Sequence, residues 1–288
     1  MPQKVILNRI RTMGEVIDAS IQFFKQNWKP LLKAYFVICG VFWLSGLAVS
    51  TINQINTFRL LADGETRLDA TYTGTYFASI LIELIGQALI MLTCLSFMAR
   101  YRDKGNIAPT VDEVWGYVKF YFFRFFGSFV LLLMLVCVGM VFCFAPGIYL
   151  SVIMTLVLTI MVIENGTLSY SYSRAFKLIK DKWWHTFGTI ILTFFLIAIT
   201  SILIIIPIEI IAAFIVFITG AHGYNIYMIA YNIAAHLAQF LYLLPFIAST
   251  LVYFSLTEQK EDVSLLERIE KLGQHEPEAD KPTTEEEY

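Results

Sequence analysis

The 288 residues are 57% hydrophobic and only 15% charged, with a formal net charge of −2 and a mean hydropathy of +0.66. Soluble domains run at about 45–50% apolar and about 25% charged residues, so the composition excludes an ordinary water-soluble globule and predicts an all-α, polytopic membrane helical bundle. The small net charge hides a strong segregation of cations along the chain, and nothing in it calls for nucleic acid as a partner.

Residues 5–28 form a first amphipathic segment, in which Ile6, Ile10, Met13, Ile17, Ile21, Phe24 and Trp28 recur at three- and four-residue steps. It is basic and lacks a compact apolar core followed by a small-residue cleavage site, so no cleaved leader is expected. Pro30 suits the first turn of a new helix, and residues 1–30 are predicted to be a separate interfacial helix. A first span follows over 31–50. The polar stretch 51–75 reads as an external loop.

The second span covers 76–98 and ends in Arg100, Arg102 and Lys104. Thr110 and Glu113 have the spacing of a capping box. They open a second amphipathic segment with Val114, Trp115, Val118, Phe122 and Phe125, bearing Lys119 and Arg124. Spans are then predicted at 126–143 and 148–163, joined by a tight turn at Pro146-Gly147.

From Glu164 to Gly188 comes the third and most basic amphipathic segment. Leu168, Tyr172, Ala175, Ile179 and Trp183 mark its apolar stripe, with Arg174, Lys177, Lys180 and Lys182 mostly off it. Such a helix lies in the interface, cations toward headgroups. A fifth span is predicted at 184–206. A single helix over 184–219 would measure roughly 50 Å against a hydrocarbon core of about 30 Å, so a kink or break is expected at Pro207. The last span falls at 228–252. A short helix over 255–273 carries Leu265, Leu266, Ile269 and Leu272, and the acidic stretch 274–288 has the composition of a disordered tail.

Lys and Arg cluster before the first span, at 100–124 and at 174–182, whereas 51–75 holds only Arg59 and Arg67. The positive-inside rule then gives six transmembrane helices with both termini cytoplasmic, in a bacterial inner membrane. All three amphipathic segments fall on that face, a pattern that either reflects an internal threefold repeat or the general placing of Lys and Trp at interfaces.

Several stretches together resemble the glycerophosphoryl diester phosphodiesterase membrane domain family. They are MGEVIDASIQFFKQNWKPLL near the start, Pro146-Gly-Ile-Tyr149, Glu164-Asn-Gly166 before SRAFKLIKDKWWHTFG, and Leu251-Val-Tyr-Phe254 with its following helix. Ala175 and Asp181 depart from the family's usual Ser and Gly. The resemblance implies a stand-alone membrane domain without the soluble phosphodiesterase barrel to which the family is fused elsewhere.

Intramembrane ionisable groups are functional-site candidates by default. Glu83, near Gln87, comes first, followed by Glu209 and His236, with Asn225 and Asn232 in the same region. A Glu83–His236 contact would make a proton or ion relay or a polar substrate site; the alternative is hydrogen bonding that locks the bundle. Glu164 is expected to pair with Arg174 or a helix N-terminus. His185, His222, His236 and His275 are too scattered for a metal set, and Cys39, Cys94, Cys137 and Cys143 read as small buried residues without metal-type spacing. No nucleophile elbow, phosphate loop or paired-carboxylate motif appears, so neither an enzyme nor a cofactor is expected.

Two functions remain. One is a non-enzymatic protein that binds anionic lipid headgroups, or scaffolds other membrane proteins or a second copy, through Arg174, Lys177, Lys180, Lys182, Trp183 and Trp184. The other is a small secondary transporter built on Glu83, Gln87, Glu209 and His236.

Overall fold

The computed structural model describes residues 4–64, 66–220 and 223–273. The predicted acidic tail, His222 and His275 lie outside these residues, as do the side chains of Asn225, Leu265, Leu266, Ile269 and Leu272. Every regular element among them is helical, in the order α1 (Met13–Ala62), α2 (Arg67–Thr71), α3 (Gly74–Asp103), α4 (Val111–Phe142), α5 (Phe144–Ile163), α6 (Leu168–Ile179), α7 (Trp183–Thr219), α8 (Gly223–Ala238) and α9 (Leu243–Gly273). Six helices are long and apolar enough to cross a membrane, the last running from α8 into α9.

Threonine starts most of these helices. Thr12, Thr66, Thr73, Thr110 and Thr167 each accept a hydrogen bond from a backbone N–H of the first turn. Thr12–Glu15 and Thr110–Glu113 are full capping boxes, the second as the sequence predicts. A cap of this kind contributes about 1 kcal/mol.

The first two amphipathic segments are not separate helices. Residues 5–12 of the first, with Ile6 and Ile10, are not helical, its remainder and the second are the N-terminal parts of α1 and α4, and only α6 stands alone. Pro30 does not break α1, because Phe23, Asn27, Leu31 and Ala34 form one buried stripe on both sides of it. The ring of Phe23 packs edge-to-face with Phe97 and Tyr101 on α3. That packing outweighs the roughly 3 kcal/mol a helical proline costs. The predicted stripe was also offset: Val16, Ala19, Ser20 and Phe23 are buried, whereas Ile6, Ile10 and Trp28 are exposed. A helix touching both protein and lipid has two apolar faces, and periodicity alone does not separate them.

Helix α1 also continues through 51–62, which the sequence suggests is loop. Thr51 and Thr57 donate to the carbonyls four residues back, so these hydroxyls follow the helix instead of breaking it. Asn53 accepts from Thr73 and Thr75 and ties α1 to the start of α3.

The α4–α5 turn lies at Cys143, in extended conformation, and Pro146-Gly147 belongs to the first turn of α5. A Cβ at Gly147 would meet Met140 backbone N at 2.7 Å, and one at Gly139 would meet Gly147 Cα at 3.1 Å. The two helices therefore cross almost backbone to backbone. Cys137 and Cys143 near this turn are exposed, contrary to the expectation of four buried cysteines, while Cys39 and Cys94 are buried.

Helix α7 is unbroken through Pro207. The interruption falls in the last span, where Gln239–Tyr242 winds as a 3₁₀ turn between α8 and α9. Pro245 lies just beyond it: lacking an N–H, it cannot make the helical bond to the Leu241 carbonyl, and the Leu243 N–H turns to the Leu241 and Phe240 carbonyls instead. The predicted separate helix at 255–273 is the continuation of α9.

The densest packing joins 88–101 of α3, 152–163 of α5 and 247–256 of α9 with the first half of α1. The loops bearing Lys and Arg meet at this end. Lys4 Nζ donates to Asn106 O at 3.1 Å, Arg11 N to Ser255 Oγ at 2.9 Å, and Arg102 to Ile163 O at 3.2 Å. Replacing Gly147 by Ala should destabilise the protein by about 1–3 kcal/mol, the usual cost of overpacking. A thermal melt in detergent measures this, with Gly127→Ala, open around its Cβ, as the neutral control.

Candidate functional site

Two polar assemblies stand out, one at the cation-bearing end and one among the spans.

At the cation-bearing end, α6 turns Ser171, Ala175, Leu178 and Ile179 inward, all buried against the bundle. Tyr172, placed on the stripe by the sequence, is exposed. Glu164 fastens the helix. Its Oε1 accepts from Tyr253 OH on α9 at 2.7 Å and faces Arg174 Nε at 3.5 Å, and its Oε2 accepts from Tyr170 OH at 2.5 Å. The bond to Glu164 raises the Tyr170 hydroxyl above its ordinary pKa. The neighbouring Asn165, at φ 53°, accepts from Arg124 at 2.9 Å, so α4 is held to the same loop.

This clasp divides the six cation-and-tryptophan candidates. Arg174 belongs to the clasp. Trp183 is stacked between Tyr149, at 5.5 Å, and Phe187, at 4.9 Å, and is part of the packing. Lys177 and Lys180 are exposed, Trp184 is 75% exposed, and Lys182 is half-buried. None of these lysines forms an ion pair among the described residues. Asp181, at φ 68°, turns the chain sharply between α6 and α7. Lys182 and His185 border a cavity of about 560 Å³ shared with Arg11, Ser255 and Gln259. Arg11 is committed elsewhere, donating to the carbonyls of Ile6, Leu7 and Arg9.

The second assembly joins α1, α3 and α8. Glu83 and His236, separated by 153 positions in the sequence, meet with Nε2 3.1 Å from Oε1. Gln239 donates to Glu83 Oε2 at 3.2 Å. Just before the 3₁₀ turn, Trp43 Nε1 donates to the His236 carbonyl at 2.8 Å. One turn earlier, Asn232 and Gln54 exchange two amide hydrogen bonds of 2.9 and 3.3 Å, and Ser50 donates to Asn232 at 3.2 Å. Gly46 lets α1 approach: a Cβ there would lie 3.4 Å from Glu83 Oε1 and 3.5 Å from His236 Nε2. Gln87 lines the same small cavity as Glu83 and His236. Glu209, on α7 beyond Pro207, takes no part in the cluster.

The sequence therefore singles out Glu83, Gln87, Asn232 and His236 correctly as neighbours, but misses Trp43, Gly46, Ser50, Gln54 and Gln239. Four of those sit at three- and four-residue steps on α1. Their spacing was visible, but the last of them was assigned to a loop. Among the described residues no group of three or more His, Cys, Asp or Glu could hold a metal ion.

Neither family models, curated proteins nor solved structures match this chain. The fold defines an all-helical protein with six helices of membrane-spanning length and composition.

Glu164 is mostly buried and carries three partners from α6 and α9. Glu164→Ala should loosen α6, costing about 1–3 kcal/mol for the buried Tyr253 hydroxyl it deprives of an acceptor and speeding amide exchange over 168–179. Lys180→Gln should leave both unchanged.

Proposed function

We propose that this protein is a non-enzymatic, multi-pass protein of the bacterial inner membrane that gathers anionic lipid against its cation-bearing end, with both termini cytoplasmic. The observation that carries this reading is the division of labour on and beside α6. Its inward face is already buried in protein and Arg174 is already paired, yet Lys177 and Lys180 point outward next to the exposed Trp184. Folding makes no evident use of these cations. Tryptophan prefers the headgroup level, and each lysine near an anionic leaflet contributes about 1 kcal/mol. The resemblance to the glycerophosphoryl diester phosphodiesterase membrane domain family agrees with a stand-alone membrane domain of this kind. A scaffold for other membrane proteins or a second copy would use the same face.

The test is retention of phosphatidylglycerol against phosphatidylcholine, read by native mass spectrometry after release from mixed vesicles. The triple variant K177Q, K180Q, K182Q should lose roughly 100-fold in preference for the anionic lipid, from about 3 kcal/mol. An unchanged preference would remove the basis for the proposal.

A second reading, small-scale transport, is favoured by one observation, the meeting of Glu83 and His236 beside an interrupted span. Polar groups at broken helices are how transporters build sites. The cavity beside the pair measures only about 10 Å³, room for at most one water. It forms no open path for a larger solute, so lipid gathering is the better-supported reading.

A further inference from the structure

We infer that Glu83 and His236 share a single proton and together form a proton-binding site among the spanning helices. The inference stands on the geometry of the pair and is independent of the lipid reading.

It begins with the tautomer. His236 Nδ1 lies 3.0 Å from the carbonyl oxygen of Asn232. A carbonyl only accepts, so Nδ1 carries a hydrogen. Whatever else the ring does, it does at Nε2. That atom is buried, faces the cavity, lies 3.1 Å from Glu83 Oε1, and makes no hydrogen bond of ordinary geometry among the described residues.

Two acceptors at that distance do not tolerate each other. With a neutral imidazole and an ionised carboxylate, the Nε2 lone pair would face Oε1, and a net negative charge would stand on a side chain about a third exposed beside apolar helices. Only the bond from Gln239 would offset it. One proton removes both penalties. Placed on Oε1 it gives a carboxylic acid donating to a neutral ring; placed on Nε2 it gives a carboxylate beside an imidazolium. Either arrangement is neutral overall and hydrogen-bonded. A second proton would leave a positive charge, and the cavity holds no further carboxylate to balance it.

The surroundings select a proton over a larger ligand. The cavity of about 10 Å³ is lined on α1 by Cys39, Trp43 and Gly46, and on α3 by Ile82 and Gln87 beside Glu83. Gln239 closes it from the 3₁₀ turn. No lysine or arginine lines it, and the one other titratable side chain, Cys39, has its Sγ against Thr93 Oγ1 at 3.5 Å. Asn232, the nearest polar neighbour on α8, is taken up by Gln54 and Ser50.

The test counts protons on the wild-type protein in phosphatidylcholine nanodiscs at neutral pH. Nitrogen-15 NMR reads the charge of His236, assigned by loss of its signal in H236N. If H236N does not fold, a chain carrying H185N, H222N and H275N leaves His236 as the one histidine. Infrared difference spectroscopy against E83Q reads whether Glu83 is acid or carboxylate. An acid with a neutral ring, or a carboxylate with an imidazolium, is one proton and is the expected result. A carboxylate with a neutral ring means no proton, an acid with an imidazolium means two, and either would overturn the inference.

Discussion

The structure depends on one constraint: charge and unpaired backbone cannot be left in hydrocarbon. Helix is the chain's answer for the backbone, and segregation is its answer for the cations. Between Lys33 and Arg100 the chain carries only Arg59 and Arg67, and from Arg124 to Arg174 and from Lys182 to Lys260 it carries no lysine or arginine at all. The remaining basic loops come together around the ends of α3, α5 and α9, where the core is also densest. The opposite half is less closely packed: α4 and α7 leave Met134, Val141, Ile199, Leu203 and Phe214 exposed, a surface suited to lipid tails.

Two half-buried carboxylates show what this constraint does to function. Glu164 sits at the cation-bearing end, where a guanidinium and two phenols satisfy it, and its work is to dock α6 and connect α4 and α9 to one loop. Glu83 sits among the spans with an imidazole and an amide. The first arrangement is a fixed clasp in which each acceptor oxygen has a dedicated donor. The second is balanced only when something occupies the space between Oε1 and Nε2. The same side-chain chemistry therefore gives a fastening in one place and a site in the other.

Much of this was legible in the sequence, for reasons that particular elements show. Apolar runs near 20 residues gave the six spans, because the thickness of hydrocarbon fixes their length. Glu83 and His236 stood out because ionisable groups are rare there. Glu164 with Arg174 followed from their position at a span edge. The misses concern continuity and facing. Pro30, Pro146 and Pro207 all look like breaks, yet each lies inside a helix: Pro146 because a helix start tolerates proline, and Pro30 because a buried stripe runs through it, while α7 simply continues through Pro207. The break that does occur, at Gln239–Tyr242, lies upstream of Pro245, where the lost bond is felt. Arg174 and Trp183 read as residues for lipid or a partner because a wheel drawn from sequence cannot show that Glu164 at the end of α5 pairs with the first and Tyr149 on α5 stacks on the second. Gln54 falls in the stretch that reads as a loop for the same reason: a polar helical turn beyond a span looks like a linker until its partner, Asn232, is seen.

The measurement that bears most directly on this account is the sidedness of the cation-bearing end in intact cells. In a background with Cys137 and Cys143 replaced by Ser, single cysteines at Lys180 and at Leu68 would be labelled with a membrane-impermeant maleimide before and after permeabilisation. The account predicts that position 68 reacts from outside and that position 180 reacts only once the membrane is opened. Labelling of position 180 from outside, or of both positions from one side, would contradict it.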